Sequence, residues 1–314
     1  MIENIYVPEG QRIGSPENRE YTSGAQGLEK AMRNGAILEA VALRCDNDMT
    51  LEFDLGGVRG VISKEESAFC PDGERVKDIA VITRVGKSVC FKVLNIINDE
   101  KGRTCAVLSR RAAQIQCMNN YLLSLIPGDI IPARVTHMEH FGAFVDIGCG
   151  VVSLLPIDSI SVSRISHPKD RFDVGMYINA VVRSIDYKTV RIYVSHKELL
   201  GTWEENASRF ALGQTVAGIV RSIEDYGIFV ELAPNLAGLA EYRDGIKPGE
   251  SASVYIKNIF PERMKIKLVL IGCCENNVEN RKEEYFIDCE NTNHIARWRY
   301  SPNSCERVIE SVFE

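Results

Sequence analysis

Residues 128–148 read GDIIPARVTHMEHFGAFVDIG, and residues 213–233 read GQTVAGIVRSIEDYGIFVELA. The stretches lie 85 residues apart and share an aromatic-Gly-x-Phe-Val core: Phe141-Gly142-Ala143-Phe144-Val145 and Tyr226-Gly227-Ile228-Phe229-Val230. An acidic residue follows each (Asp146, Glu231), then an apolar one (Ile147, Leu232). Every second position is apolar, which is the period of a half-buried strand. A pattern recurring at a fixed interval marks a structural repeat, and the whole chain has to be read against it.

A weaker copy lies upstream. Phe53-Asp54-Leu55-Gly56 aligns with Val145-Asp146-Ile147-Gly148, and Val107-Leu108-Ser109-Arg110-Arg111 with Tyr193-Val194-Ser195-His196-Lys197. That copy has Met49 and Glu52 where the next has Phe141 and Phe144, so it keeps the strands and loses the rings. The repeats predict an all-β chain of tandem small barrels joined by short helices. A leader covers 1–30, a degenerate first barrel 31–112, a helical connector 113–126 and a second barrel 127–198. A second connector covers 199–209, a third barrel 210–271 and an acidic tail 272–314. The leader reads as loose or docked. Ser109 and Ser195 stand as helix N-caps before the connectors, and Ser195 with Glu198 has the spacing of a capping box. In the tail, Glu284–Ile287 reads as a strand and Ser304–Phe313 as a helix. Trp203 reads as a docking residue between connector and barrel, and Trp298 as packing for the tail.

Composition narrows the function. With 314 residues, 45% hydrophobic and 25% charged, the chain is of globular type. No apolar run exceeds four residues, against the roughly 20 that a spanning helix needs, so no membrane partner is expected. The start lacks the basic-then-apolar pattern of an export signal, which predicts a cytoplasmic protein. The ten cysteines form no CxxC pair, and most of them read as small buried apolar residues. The balance of 37 basic and 43 acidic residues gives −6, so binding to a phosphate backbone needs a local basic face. Residues 247–267 supply one: Lys247, Lys257, Arg263, Lys265 and Lys267 stand against Glu250 and Glu262. Residues 128–200 are balanced, eight basic to eight acidic, but hold four of the five histidines.

Strand parity points Val145 and Ile147 to the barrel interior and Phe144 and Asp146 outward. Phe141 has the parity of the core set, with Gly142 able to kink the strand and swing its ring out. Two exposed rings on a curved sheet make a platform for unpaired bases, where stacking contributes about 1–3 kcal/mol per base. Rings turned into the core are the competing reading, and the double occurrence of the motif favours the platform. His137 and His140 lack a third metal ligand at recognisable spacing. In the tail, Cys273, Cys274, Cys289, His294 and Cys305 lack the paired spacing of a structural zinc site and read as packing residues, so no metal and no cofactor are expected. No phosphate loop, nucleophile elbow or paired-carboxylate motif appears, which predicts a protein that is not an enzyme.

These residues resemble the S-one RNA-binding domain, a five-stranded OB barrel named after the large RNA-binding protein of the bacterial small ribosomal subunit. The likeness covers 127–198 strongly, 210–271 well and 35–112 in outline. Across its length the chain resembles the short S-one homologues of anaerobic Gram-positive bacteria. The resemblance implies tandem OB-fold barrels, single-stranded RNA or mRNA as ligand, the small ribosomal subunit as partner and a role in translation. Regulation of RNA decay or transcription away from ribosomes, or a protein-binding OB scaffold, are its alternatives. Carried over, the family's RNA-contacting positions fall on Phe141, Phe144, Asp186 and Arg191 in the second barrel and on Tyr226, Phe229 and Lys265 in the third. His140, beside Phe141, and Lys257, in the basic segment, join them as candidates. A histidine common in the family after the third strand is Pro156 in one unit and Glu241 in the other, which removes an expected contact from both.

Overall fold

The computed structural model describes residues 6–70, 74–98, 102–274 and 284–313. Two helices precede the first sheet. Helix α1 (Pro16–Tyr21) starts at Ser15, whose hydroxyl accepts from Asn18 N, and α2 (Ala25–Asn34) ends at left-handed Gly35. Leu28 and Ala31 on α2 are buried in the first unit's core, so this part of the leader is docked.

The first unit comprises β1 (Leu38–Val41), β2 (Arg44–Cys45), β3 (Leu51–Leu55), β4 (Val58–Ile62), a short helix α3 (Asp78–Ile82), β5 (Ser88–Asn98) and β6 (Thr104–Ser109). Strands β1 and β2 are one strand interrupted at Ala42–Leu43. Strand β1 pairs with β5 and β2 with β3, so the ends of the sheet are consecutive pieces of chain. Helix α4 (Arg110–Asn120) follows, capped by Ser109, whose hydroxyl accepts from Ala112 N. The second unit is β7 (Ile130–Glu139), β8 (Gly142–Asp146), β9 (Val152–Pro156), β10 (Tyr177–Asp186) and β11 (Arg191–Ser195), closed as a barrel. After helix α5 (Trp203–Ala207), the third is a closed barrel of β12 (Thr215–Glu224), β13 (Gly227–Ala233), β14 (Leu236–Ala240), β15 (Ser251–Phe260) and β16 (Lys265–Cys274).

In each unit the third and fifth strands pair parallel (β4–β6, β9–β11, β14–β16), and every other pairing is antiparallel. This is the OB topology, repeated in tandem and joined by short helices. Strands β7 and β12 carry a bulge at the same place, Val135/His137 and Val220/Ser222, where the first unit breaks its strand outright. Such a bulge adds local twist, which lets a long strand serve both halves of a small barrel. Inward positions fill the core: Ile131, Ala133, Val135, Ala143, Val145 and Leu155 are fully or almost fully buried in the second barrel.

Three expectations about the second connector and the tail are corrected. The second connector is not one helix from Ser195. A 3-10 turn, Lys197–Leu200, stops at Gly201 (φ 80), and α5 begins at a new cap, Thr202, whose hydroxyl accepts from Glu205 N while the Glu205 carboxylate accepts from Thr202 N. Gly201 is required there because a Cβ would meet the Phe286 ring at 2.7 Å. In the tail, Glu284–Ile287 forms no strand. Ser304–Phe313 forms no helix; its end is strand β18 (Glu310–Val312), paired antiparallel with β17 (Arg297–Arg299). The partner strand supplies the backbone bonds that an isolated short helix would have had to find within itself. Trp203 is buried in the third barrel's core, and Trp298 is buried with it.

The fourth correction is Asp146. It has the outward parity expected of it, yet it is buried, because the leader covers this part of the second barrel. Its carboxylate accepts from Glu9 N at 2.7 Å and from Gly148 N and Gly150 N at 2.9 Å. Burial and the nearby Glu9 push its carboxyl up to about 7. Glu231, the same position one repeat on, is also buried at a junction. It accepts from Arg171 of the second barrel at 2.6 Å and from Arg221 Nε at 2.8 Å. Asn235 completes that joint, accepting from Val162 N and donating to the carbonyls of Lys197 and Gly201. The acid of each motif is therefore a docking residue for the preceding segment.

Candidate nucleic-acid interface

The outer face of the second barrel is assembled by register. His137 on β7 lies opposite Phe144 on β8, Phe144 opposite Leu154 on β9, and Leu154 opposite Tyr193 on β11. One row of side chains, three of them rings, thus crosses four strands. Phe144 is half-buried in it, with the His137 ring stacked at 6.1 Å and an interplanar angle of 21°. Phe141 occupies the two-residue turn between β7 and β8 and is 56% exposed. Its ring stands 6.0 Å from Phe144 at 89°, so each ring keeps a face free of the other.

Phe141 leaves the core because of the turn, rather than through a kink at Gly142. The glycine matters for another reason. A Cβ on it would sit 2.5 Å from the Leu155 carbonyl oxygen, so its absence lets β9 come close behind the rings. The third barrel repeats the geometry. Tyr226 is 69% exposed, 6.1 Å from Phe229 at 89°. The row there is Ser222, Phe229, Leu239 and Lys267, with a lysine where the second barrel has Tyr193.

The candidates divide as follows. A groove of about 640 Å³ brings together Tyr226, Phe229 and Lys265 with Phe260, Arg263 and Lys267. Lys257 is exposed on β15 and outside that lining. Glu241, at one of the substituted histidine positions, does line it. In the second barrel a groove of about 500 Å³ joins Phe144 to Arg191 and Tyr193. Asp186 pairs across the hairpin with Arg191, but its carboxylate closes the turn, accepting from Lys188 N and from Thr189 N and Oγ1. Those bonds, the Thr189 hydroxyl first, hold its carboxyl below the ordinary carboxylate range. His140 is exposed and meets His167 edge-on at 4.8 Å. His196 is fully buried between Phe172 and Tyr285, and is no part of this face.

The sequence pattern does not single out His137, Leu154, Tyr193 or Phe260 for the site. Their signal is cross-strand register, and alternation within one strand does not carry it. The first barrel replaces the platform with an ion-pair cluster. Glu52, at the Phe144 position, accepts from Arg44 Nε at 2.6 Å and pairs with Arg59, and both guanidiniums hold its carboxyl low.

The S1 RNA binding domain model matches residues 124–197, the second barrel. The small ribosomal subunit protein bS1 of Neisseria meningitidis is 28% identical over 296 residues, covering 88% of this chain and 50% of that protein. The bS1 of Staphylococcus aureus strain COL is 28% identical over 287 residues, 85% of this chain and 69% of that protein. The chain thus spans half the length of the Neisseria relative. A Streptococcus pneumoniae crystal structure, described as a multidomain protein with nucleic acid binding domains, aligns at 17% identity and a TM-score of 0.24 over 78% of this chain and 76% of that one. No helix among the described residues is long and apolar enough to cross a membrane. The chain thus carries an S1-type RNA-binding domain as the second of three successive OB units, and is similar to bS1 across most of its length.

Proposed function

We propose that the protein binds single-stranded RNA without catalysis and acts in translation, holding messenger RNA near the small ribosomal subunit in the cytoplasm. The observation that carries this reading is the pair of perpendicular rings, open to solvent, at the same place on two successive barrels. Flat side chains stack on any base, so binding of this kind tolerates sequence. Phe141 with Phe144, Arg191 and His140 forms the main contact, and Tyr226 with Phe229, Lys265 and, further out, Lys257 assists. Asp186 contributes by shaping its hairpin. The link to translation rests on the bS1 relatives. The first barrel, whose ring positions are taken by an ion-pair cluster, serves as a docking unit.

The exposure of Phe141 and Tyr226 weighs against a pure protein scaffold, which would bury those rings at interfaces. Fluorescence anisotropy with a short unstructured RNA at low salt tests the binding: a saturable rise is expected, and no rise contradicts the reading. Co-sedimentation with small subunits separates translation from RNA regulation away from ribosomes.

A further inference from the structure

The groove beside Phe144 is not confined to the second barrel. Its far wall belongs to the first unit and the connector: Ala68, Phe69, Ala80 and Arg84, with Arg110, Gln114 and Met118 at its base. Phe69 is half-buried, and its backbone N–H donates to Gln114 Oε1 at 2.7 Å, which fixes the ring-bearing loop against α4. Arg84 faces the same space. Its nearest charged partner is Glu9 at 3.6 Å, and its Nε is buried with no hydrogen-bond partner among the described residues. Arg110 is held more firmly, on Glu9 at 2.7 Å and on the carbonyls of Ser67 and Gly150 at 3.2 Å. The lining therefore presents three rings (Phe69, Phe144, Tyr193), three guanidiniums (Arg84, Arg110, Arg191) and, among the described residues, no carboxylate. Glu9 and Asp146 sit near the guanidiniums but do not line the cleft.

We infer that this inter-barrel cleft takes the next nucleotide of the RNA strand lying on the Phe141–Phe144 platform. The inference rests on the RNA-binding reading and deepens it. The cleft volume of about 500 Å³ accommodates one base with its sugar and phosphate. Phe69 closes over the base, and the Arg84 guanidinium, which lines the cleft and lies 3.6 Å from Glu9, meets the phosphate. Phe144 belongs to both platform and cleft, so a strand leaving the platform in this direction enters the cleft directly. The first barrel, without rings on its own outer face, then contributes a wall to its neighbour's site. The bonds of Arg110 and Gln114 to the Gly150 carbonyl hold that wall against the second barrel.

The test uses the full chain, fluorescence anisotropy and an unstructured RNA of about twelve nucleotides, within the span of one or two OB units. Phe69→Ala removes the ring. Ala80→Glu places a carboxylate in the cleft from an exposed helix position, where packing does not depend on it. Each is expected to weaken binding about five- to tenfold, the lower part of the range for one stacked base, with the thermal unfolding of Ala80→Glu unchanged. Phe144→Ala is the control for the underlying reading. If Phe144→Ala weakens binding while Phe69→Ala and Ala80→Glu bind like the parent, the cleft inference is overturned and the platform stands. If none of the three matters, the RNA-binding reading fails first. Displacement of the RNA from the parent, but not from Ala80→Glu, by an equal charge of polyglutamate would overturn the nucleotide assignment in favour of an acidic peptide.

Discussion

Single side chains decide the site in ways that parity alone does not anticipate. Phe144 is readable as outward-facing because strands alternate. Phe141 is readable as a ring near a glycine, but its release into solvent comes from the turn and not from Gly142. The glycine instead admits β9, and Gly142→Ala is expected to destabilise the second barrel by about 1–3 kcal/mol, the usual cost of overpacking, measured as a lowered thermal midpoint. An unchanged midpoint would show that β9 can retreat freely. Asp146 shows where parity stops: it points outward and is then covered by a segment more than a hundred residues earlier in the chain. His196 gives a pH signature. Burial depresses its pKa from 6.5 to about 4, with the Ile160 carbonyl and Glu198 opposing. The folded ring stays neutral while the unfolded one charges, so its stabilisation is complete above pH 6.5 and is lost as pH falls toward 4. The loss amounts to about 3 kcal/mol by proton linkage, and His196→Gln is expected to flatten that part of the stability curve in denaturant titrations at successive pH values.

At the scale of elements, strands are the most legible part. Repeats at a fixed offset, with inward Val and Ile alternating against outward rings, announce barrels, and the resemblance to a known domain names their topology. Pairing across strands is not legible, so Leu154 and Tyr193 leave no mark in the sequence although they complete the row through Phe144. Short connectors are harder to read. Ser195 and Glu198 have capping-box spacing, but Gly201 breaks the run and Thr202 restarts it, because Phe286 from the tail packs where a side chain would stand. The tail misleads for a related reason: β18 exists only through β17, and a three-residue strand leaves no periodic trace. The first barrel shows the same strand pattern carrying different chemistry. Arg44, Glu52 and Arg59 form a local ion-pair cluster on the face where its neighbours carry rings, which argues for a separate role.

Across the whole molecule the units are docked rather than strung on free linkers. Between the second and third barrels, Arg171 and Glu231 are both buried and share their bond with Arg221, which also reaches Asp170 at 3.2 Å. Without Arg171, Glu231 keeps Arg221 but loses the guanidinium that reaches it from the second barrel, together with that group's bond to the Pro234 carbonyl. Arg171→Ala is therefore expected to cost about 1.5–3 kcal/mol, the usual worth of a buried hydrogen bond to a charged group, and to split calorimetric unfolding into separate transitions for the two barrels. A single unsplit transition at the parent temperature would mean that the joint does not couple them. Docked barrels keep the two ring pairs, and the cleft beside the first of them, in a fixed relation, so one strand can be followed from unit to unit. The most direct test of that account compares Phe144→Ala with Glu52→Ala, the same position one barrel upstream, for binding to a short unstructured RNA. Phe144→Ala is expected to weaken binding about five- to 150-fold, equivalent to about 1–3 kcal/mol, while Glu52→Ala leaves it near the parent value. Equal effects from the two changes would contradict the claim that the exposed rings are the contact surface.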